Sequence, residues 1–218
     1  MLDLVSAARI LDDFRAGKRL SMKIKELQDS LVMASADRAR EFLKEERISD
    51  SVLKSALLVK DFARQINVVV HAVGMLISLP YIIDRGEILR YVSLGAGNTG
   101  KKFDLESNRR VAEFKFIDWQ GGAEAIRQNQ LFKDLFYLAE YEGNERRCLY
   151  VVDTQYPLQF LNGNRALNSV LSRNQTLRNA FHAKYDERYS VVHEYFDDVN
   201  DLVEIIDLRE LVPCFGNR

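Results

Sequence analysis

Apolar residues recur at intervals of three and four from Leu2 to about Leu79, and no proline appears before Pro80, so the first third of the chain is predicted to be helical almost throughout. Gly17 is a stop for the first helix, and Ser21 and Ser35 are caps for the next two. Asp50 opens a long helix that carries Leu53, Leu57, Val59, Phe62, Ile66 and Val70 and ends at Pro80. From Ile82 the period changes. Ile88, Leu89, Tyr91, Val92 and Leu94 suit a strand, and Gly95-Ala-Gly-Asn-Thr-Gly100 supplies the turn of a hairpin. Residues 103–105 and 110–117 read as two further strands on either side of the polar tract 106–109. An amphipathic helix comes next, from about Ala123 to Tyr141, closed by Gly143, and Cys148-Leu-Tyr-Val-Val152 suits a buried strand. Beyond it, residues 164–184 read as helix, Tyr189 to Phe196 as strand, and Leu202 to Leu211 fits either.

The chain has 218 residues, 47% of them hydrophobic, which suffices for one substantial core with or without a small helical appendage. This suggests a helical region over 1–49 and an α/β domain over 50–218, with no linker or repeat marking a firm boundary. The formal charge of -1 leaves any surface for a polyanion to be a local one. Cys148 and Cys214 have no metal-ligand spacing and are too few for a disulfide framework, so both read as reduced thiols. The amino terminus lacks the basic start and apolar run of a signal peptide. Val68 to Leu79 is interrupted by His71, Gly74 and Ser78 and is shorter than the ~20 residues of a membrane span. A soluble cytoplasmic protein without membrane contact is expected.

The candidate chemistry lies in Glu113-Phe-Lys115. Ala112, Phe114 and Phe116 are apolar, so Glu113 and Lys115 project together from the opposite face of a strand. Asp104, in Phe103-Asp-Leu105, sits on the preceding strand, and a tight turn between the two would bring both carboxylates together. Such a pair binds a hard divalent cation through oxygen ligands, with water completing the shell. A cation there lowers the pKa of a bound water and stabilises charge on a phosphodiester, while a lysine orients the water or neutralises the transition state. The alternative is an exposed cross-strand salt bridge worth less than about 1 kcal/mol.

With the strand pattern, the upstream acid and the succeeding helix taken together, residues 50–154 resemble the PD-(D/E)XK nuclease superfamily, whose core runs helix, hairpin, strand with the second motif, helix, strand. Phe103-Asp104 is similar to its first motif with phenylalanine in place of proline, and Glu113-Phe-Lys115 matches its second. The resemblance implies a restriction-endonuclease-like fold with a mixed central sheet flanked by helices. It also implies that Asp104 and Glu113 hold Mg²⁺ or Mn²⁺, that Lys115 assists the attacking water, and that the substrate is DNA. Cutting both strands would favour a homodimer. Glu106 shares a strand face with Asp104 and competes with it, as an outer ligand or a solvated turn residue.

Several neighbours invite a role. Gln128, Gln130 and Tyr137 lie on the helix where exonuclease-like branches of the superfamily carry a glutamine and a tyrosine, and Gln130 and Tyr137 share a helix face. His71 corresponds to an extra metal ligand of some branches, or to a hydrogen-bonded core histidine. Lys101, Lys102, Arg109 and Arg110 cluster in sequence around the carboxylates and are expected to steer a phosphate backbone. Arg165, Arg173 and Arg178, with Tyr185 and Tyr189, suit either a nucleic-acid groove or an exposed helix face. Two rival functions remain. Gly95 to Lys102 is one residue away from a phosphate-binding G-x-x-x-x-G-K-[S/T] loop, with Leu149 to Asp153 as its companion strand, but Lys102 replaces the hydroxyl and a strand comes next where a helix is needed. A non-catalytic adaptor that keeps a nuclease-like fold is the other.

Overall fold

The structure is a computed structural model that describes residues 2–32, 35–95, 102–116, 119 and 124–216. The chain forms two compact units, Met1–Asn67 and Val68–Arg218.

The first unit is helical: α1 (Leu4–Arg15), α2 (Leu20–Leu31), α3 (Ala36–Glu45) and the opening turns of α4 (Asp50–Ile82). Local chemistry sets the boundaries. The Asp3 carboxylate accepts from the backbone N–H groups of Val5 and Ser6 and starts α1, and left-handed Ala16 and Gly17 end it. Ser35 caps α3 by accepting from Arg38 N. Ser21 does not cap α2, because the helix already begins at Leu20 and Arg19 takes the capping position without a side-chain bond. Ala7 and Phe42 are the buried apolar residues of this unit among those described.

Helix α4 differs from expectation at its end, running through Pro80 to Ile82. Proline lacks its own N–H, yet the next turn still bonds back, with Ile83 N donating to Leu79 O at 3.1 Å. By length and composition this 33-residue helix is able to cross a membrane. In the second unit, however, its inner face packs into protein, with Met75, Ser78 and Ile82 buried.

The second unit is built on a five-stranded sheet in the order β1-β2-β3-β4-β5, comprising Leu89–Val92, Leu105–Ser107, Arg110–Lys115, Arg146–Val151 and Glu204–Asp207. The first three strands are antiparallel neighbours, and β3, β4 and β5 are parallel. The expected hairpin turn at Gly97 lies outside the described residues. Parallel pairing requires crossovers: α5 (Ala125–Ala139) joins β3 to β4, and α6 (Gln155–Leu161), α7 (Leu167–Leu171), α8 (Gln175–Tyr185) and α9 (Val192–Val199) lie between β4 and β5, before α10 (Leu208–Leu211) and α11 (Pro213–Gly216). Residues 189–196, predicted as a strand, instead enter α9. Val192, Tyr195, Phe196 and Val199 recur with helical spacing and are buried together, and the Glu194 carboxylate accepts from Ser190 N and Val191 N at the helix start.

Helices cover both faces of the sheet. Ala112, Phe114 and Phe116 pack with Met75, Ile82, Leu105, Tyr150 and Leu208 on one side. Val111, Leu149 and Val151 pack with Leu131, Phe132, Leu135, Phe181 and Tyr195 on the other. Gly74 sets how closely α4 approaches, since a Cβ there would stand 2.6 Å from the Phe116 ring. Cys148 is buried and Cys214 exposed, both unpaired, and burial pushes the Cys148 thiol up to about 11.

Candidate active site

The antiparallel register pairs Leu105 with Ala112, so Asp104 falls beside Glu113 at the end of β2. Its Oδ2 accepts from Phe114 N at 3.1 Å, which fixes the carboxyl against the edge of β3. The carboxyl groups of Asp104 and Glu113 lie close enough for each to act on the charge of the other. Burial, followed by the charges of Asp134 and Asp104, pushes Glu113 well above the usual carboxylate range, with Lys115 acting in the opposite sense.

Lys115 projects from the same face two residues on. Its ammonium is ion-paired with Asp134, whose side chain is only 5% exposed. Burial opposes the charge on Lys115, but Asp134, Glu113 and Asp104 outweigh it and hold its pKa above the ordinary lysine value. Asp134 was not singled out from the sequence. Its signal was an acid on the helix face of Leu131, Leu135 and Leu138, four residues after Gln130 and three before Tyr137.

The Lys115 ammonium is thus paired with Asp134 and feels the charges of Glu113 and Asp104 from further off. Among the described residues, no group of three or more His, Cys, Asp or Glu side chains is placed to hold a metal ion by itself. The donors that do meet, Asp104 and Glu113, fit a hard divalent cation that keeps much of its water. The excess of carboxyl over ammonium groups here is a deficit that such a cation would balance.

The remaining candidates divide. His71 reaches the cluster from α4, with Nε2 3.1 Å from Ser93 O and 3.7 Å from Asp104 Oδ1. A carbonyl oxygen only accepts, so Nε2 carries the hydrogen and acts as a donor rather than a ligand. Gln130 is exposed and borders a cavity that Lys115 also lines. Tyr137 and the exposed Lys102 come together, the ammonium 5.9 Å from the ring centroid. Glu106 is close enough to Tyr141 to raise its phenol pKa, behind burial and Glu145. The side-chain oxygen of Gln128 accepts from Arg165.

Two expectations need correction. Arg109 and Arg110 do not flank the carboxylates, because the β2–β3 turn puts them at the opposite end of β3, on the order of 10 Å away at the usual rise of a strand. Arg110 is also no phosphate contact. Its side chain is 3% exposed and bonds Glu87, Asp84 and the Tyr150 hydroxyl at 2.6–2.8 Å. Tyr185 and Tyr189 belong to an aromatic cluster with Phe181 and Tyr195, and their hydroxyls donate to Glu140 and Asp198.

Lys101, and residues 96–100 of the phosphate-loop-like run, lie outside the described residues. The next element along the chain is strand β2, not a helix whose N-terminus would meet a phosphate. Asp153, the supposed companion of that loop, is held by Arg209 in a two-pronged pair at 2.8 and 2.9 Å. No protein-family model, curated protein or solved structure matches this chain.

Proposed function

We propose that this chain is a metal-dependent nuclease that hydrolyses phosphodiester bonds in DNA, and that its second unit has a restriction-endonuclease-like fold. The observation that carries the reading is the meeting of Asp104, Glu113 and Lys115 at one end of β3, with Asp134 from α5 beside them. The element order α4-β1-β2-β3-α5-β4 supports the fold, since it has the helix, hairpin, strand, helix, strand sequence of that architecture.

Mg²⁺ or Mn²⁺, held by Asp104 and Glu113, would supply Lewis acidity and a water acidified towards neutrality. The chain's own residues do the rest. Phe114 N holds the Asp104 carboxyl in place, with the His71 ring beside it. Glu113, in its ionised form, would be the second carboxylate ligand. Asp134 aims the Lys115 ammonium at the position where negative charge grows on the phosphate, and burial strengthens that attraction.

Cleavage of DNA and RNA substrates with Mg²⁺, with Mn²⁺ or with EDTA, by the parent and by Asp104→Ala and Lys115→Ala, tests the reading. Each substitution is expected to slow metal-dependent cleavage by at least about 10²-fold. Undiminished cleavage by both variants sinks the site. Mn²⁺ binding that survives the loss of Asp104 and Glu113 points to the same conclusion, and a chain that binds no metal and cuts nothing is an adaptor.

A further inference from the structure

Helix α5 leaves the carboxyl end of β3 and α6 leaves the carboxyl end of β4, the edge of an open α/β sheet where ligands bind. Between them lies a hollow of about 260 Å³. Gln128 in the first turn of α5, Tyr156 and Gln159 of α6, and Arg165 form its polar lining. Phe160, Gly163 and Trp119 complete the wall, and no acidic side chain lines it among the described residues.

Arg165 is half-buried, whereas Arg173 and Arg178 of the same basic region are exposed. Its guanidinium donates to the side-chain oxygen of Gln128, a neutral partner that orients the group and offsets none of its charge. Elsewhere in this unit Arg146 is paired with Glu204, Arg188 with Asp198 and Arg209 with Asp153. The backbone beneath Arg165 is also fixed, with Val192 N donating to Arg165 O at 3.0 Å and Leu167 N to Ser190 O at 2.9 Å. A guanidinium fork held from below, with its charge unanswered and N–H groups to spare, matches the oxygens of a phosphate.

We infer that the hollow holds a backbone phosphate of the DNA other than the one that is cut, with Arg165 as its cation and exposed Gln159 as a further donor. Gln128 lies six residues before Asp134 on α5, about 9 Å at the helical rise and so roughly three nucleotides along a duplex. The inference rests on the nuclease reading above. It adds a second grip on the strand, which sets the register between the bound DNA and the cut.

The full-length protein in EDTA, where metal-dependent cleavage is stopped, is titrated with a labelled duplex at several salt concentrations, following anisotropy. Arg165→Gln is expected to weaken binding by about tenfold and to lower the slope of log affinity against log salt by about 0.9, the share of one phosphate contact. Gln159→Glu brings a negative charge into the hollow from an exposed position, where folding is not at stake, and is expected to weaken binding by a similar factor. Arg178→Gln, which removes an exposed charge outside the hollow, is expected to change neither quantity. In Mg²⁺, Arg165→Gln should raise KM and spare kcat, because a phosphate that is not cut is held equally in the ground and transition states.

Affinity and salt slope indifferent to both Arg165→Gln and Gln159→Glu overturn the hollow, as do equal losses from Arg165→Gln and Arg178→Gln. A fall in kcat at constant KM overturns it too, since Arg165 would then act on the reacting phosphate. If inorganic phosphate stabilises the parent against heat while DNA affinity ignores Arg165→Gln, the hollow is a free-anion site and the strand assignment falls. None of these results touches cleavage that depends on Asp104. DNA binding that depends on Arg165 without any cleavage in Mg²⁺ or Mn²⁺ keeps the hollow and sinks the nuclease reading alone.

Discussion

The two compact units of this chain treat their apolar residues differently. In Val68–Arg218 the strands β3 and β4 are buried on both faces, and helices supply Phe132, Leu135, Phe181 and Tyr195, each fully inaccessible. In Met1–Asn67 the apolar side chains of Val5, Leu20, Met22, Leu53, Leu57 and Phe62 all remain at least 48% exposed, and α1 and α3 begin on a capping carboxylate and a capping hydroxyl. A short segment buries a smaller share of its surface than a longer one, and helices draw most of their stability from tertiary packing. The contrast shows where the chain can afford a cluster of buried charge. Glu113, Lys115 and Asp134 are costly to keep dry, and they sit in the unit whose packing offsets that cost.

The largest effects should come from cavities. Phe132→Ala is expected to cost about 4 kcal/mol in urea unfolding, whereas Phe42→Ala in the helical unit is expected to cost about 2 kcal/mol, because loosely packed surroundings collapse more readily. Equal costs would break the comparison. Arg110→Ala ranks next, at about 3 kcal/mol, since it leaves the buried Glu87 carboxylate without its cation. A measured loss below about 1 kcal/mol would put that pair in the class of surface bridges.

The same pair makes stability depend on pH. Burial alone would raise the Glu87 pKa, but hydrogen bonds from Arg110 and Ser107 outweigh it and hold the carboxyl below its ordinary value. The unfolded chain therefore takes up a proton at higher pH than the native one, so the contribution is complete above the unfolded value of about 4.3 and fades as the pH falls through the native value. Stability measured from pH 7 down to pH 3 should fall less steeply in Glu87→Gln, and parallel curves would remove Glu87 from the explanation. Smallest of all, Val5→Ser is expected to change stability by less than about 0.5 kcal/mol. Hydrogen exchange should nonetheless find the amides of α1 to α3 less protected than those of β3 and β4.

Much of this was legible where the signal is local. The alternation of Ala112, Phe114 and Phe116 with Glu113 and Lys115 gave the orientation of β3, and Ser35 and Asp50 marked helix starts. The same alternation carries Arg110 onto the core face with Ala112, so its burial was foreshadowed, although its partners Asp84 and Glu87 lie more than twenty residues upstream. Asp134 was missed because a helix face is read by its apolar members, and an acid among them looks like an exception until a lysine is found opposite. Helix α9 was missed because Tyr189, Val191 and Val192 favour a strand by composition, while burial tracks the helical spacing of Val192, Tyr195, Phe196 and Val199. The strand order, joining residues from 89 to 207, is a nonlocal property that no window of sequence contains.

Gly74 lies outside the carboxylate cluster, yet it calibrates it. Because its missing Cβ lets α4 rest against Phe116, the same helix delivers His71, one turn earlier, to within 3.7 Å of Asp104. A single methyl group at position 74 would act as a shim under a lever, lifting the helix or turning the Phe116 ring, and would retune an imidazole it never touches. Natural or laboratory variation that leaves every charged residue of the cluster intact can therefore still change how the site works, and the alanine that replaces Gly74 is the smallest such change.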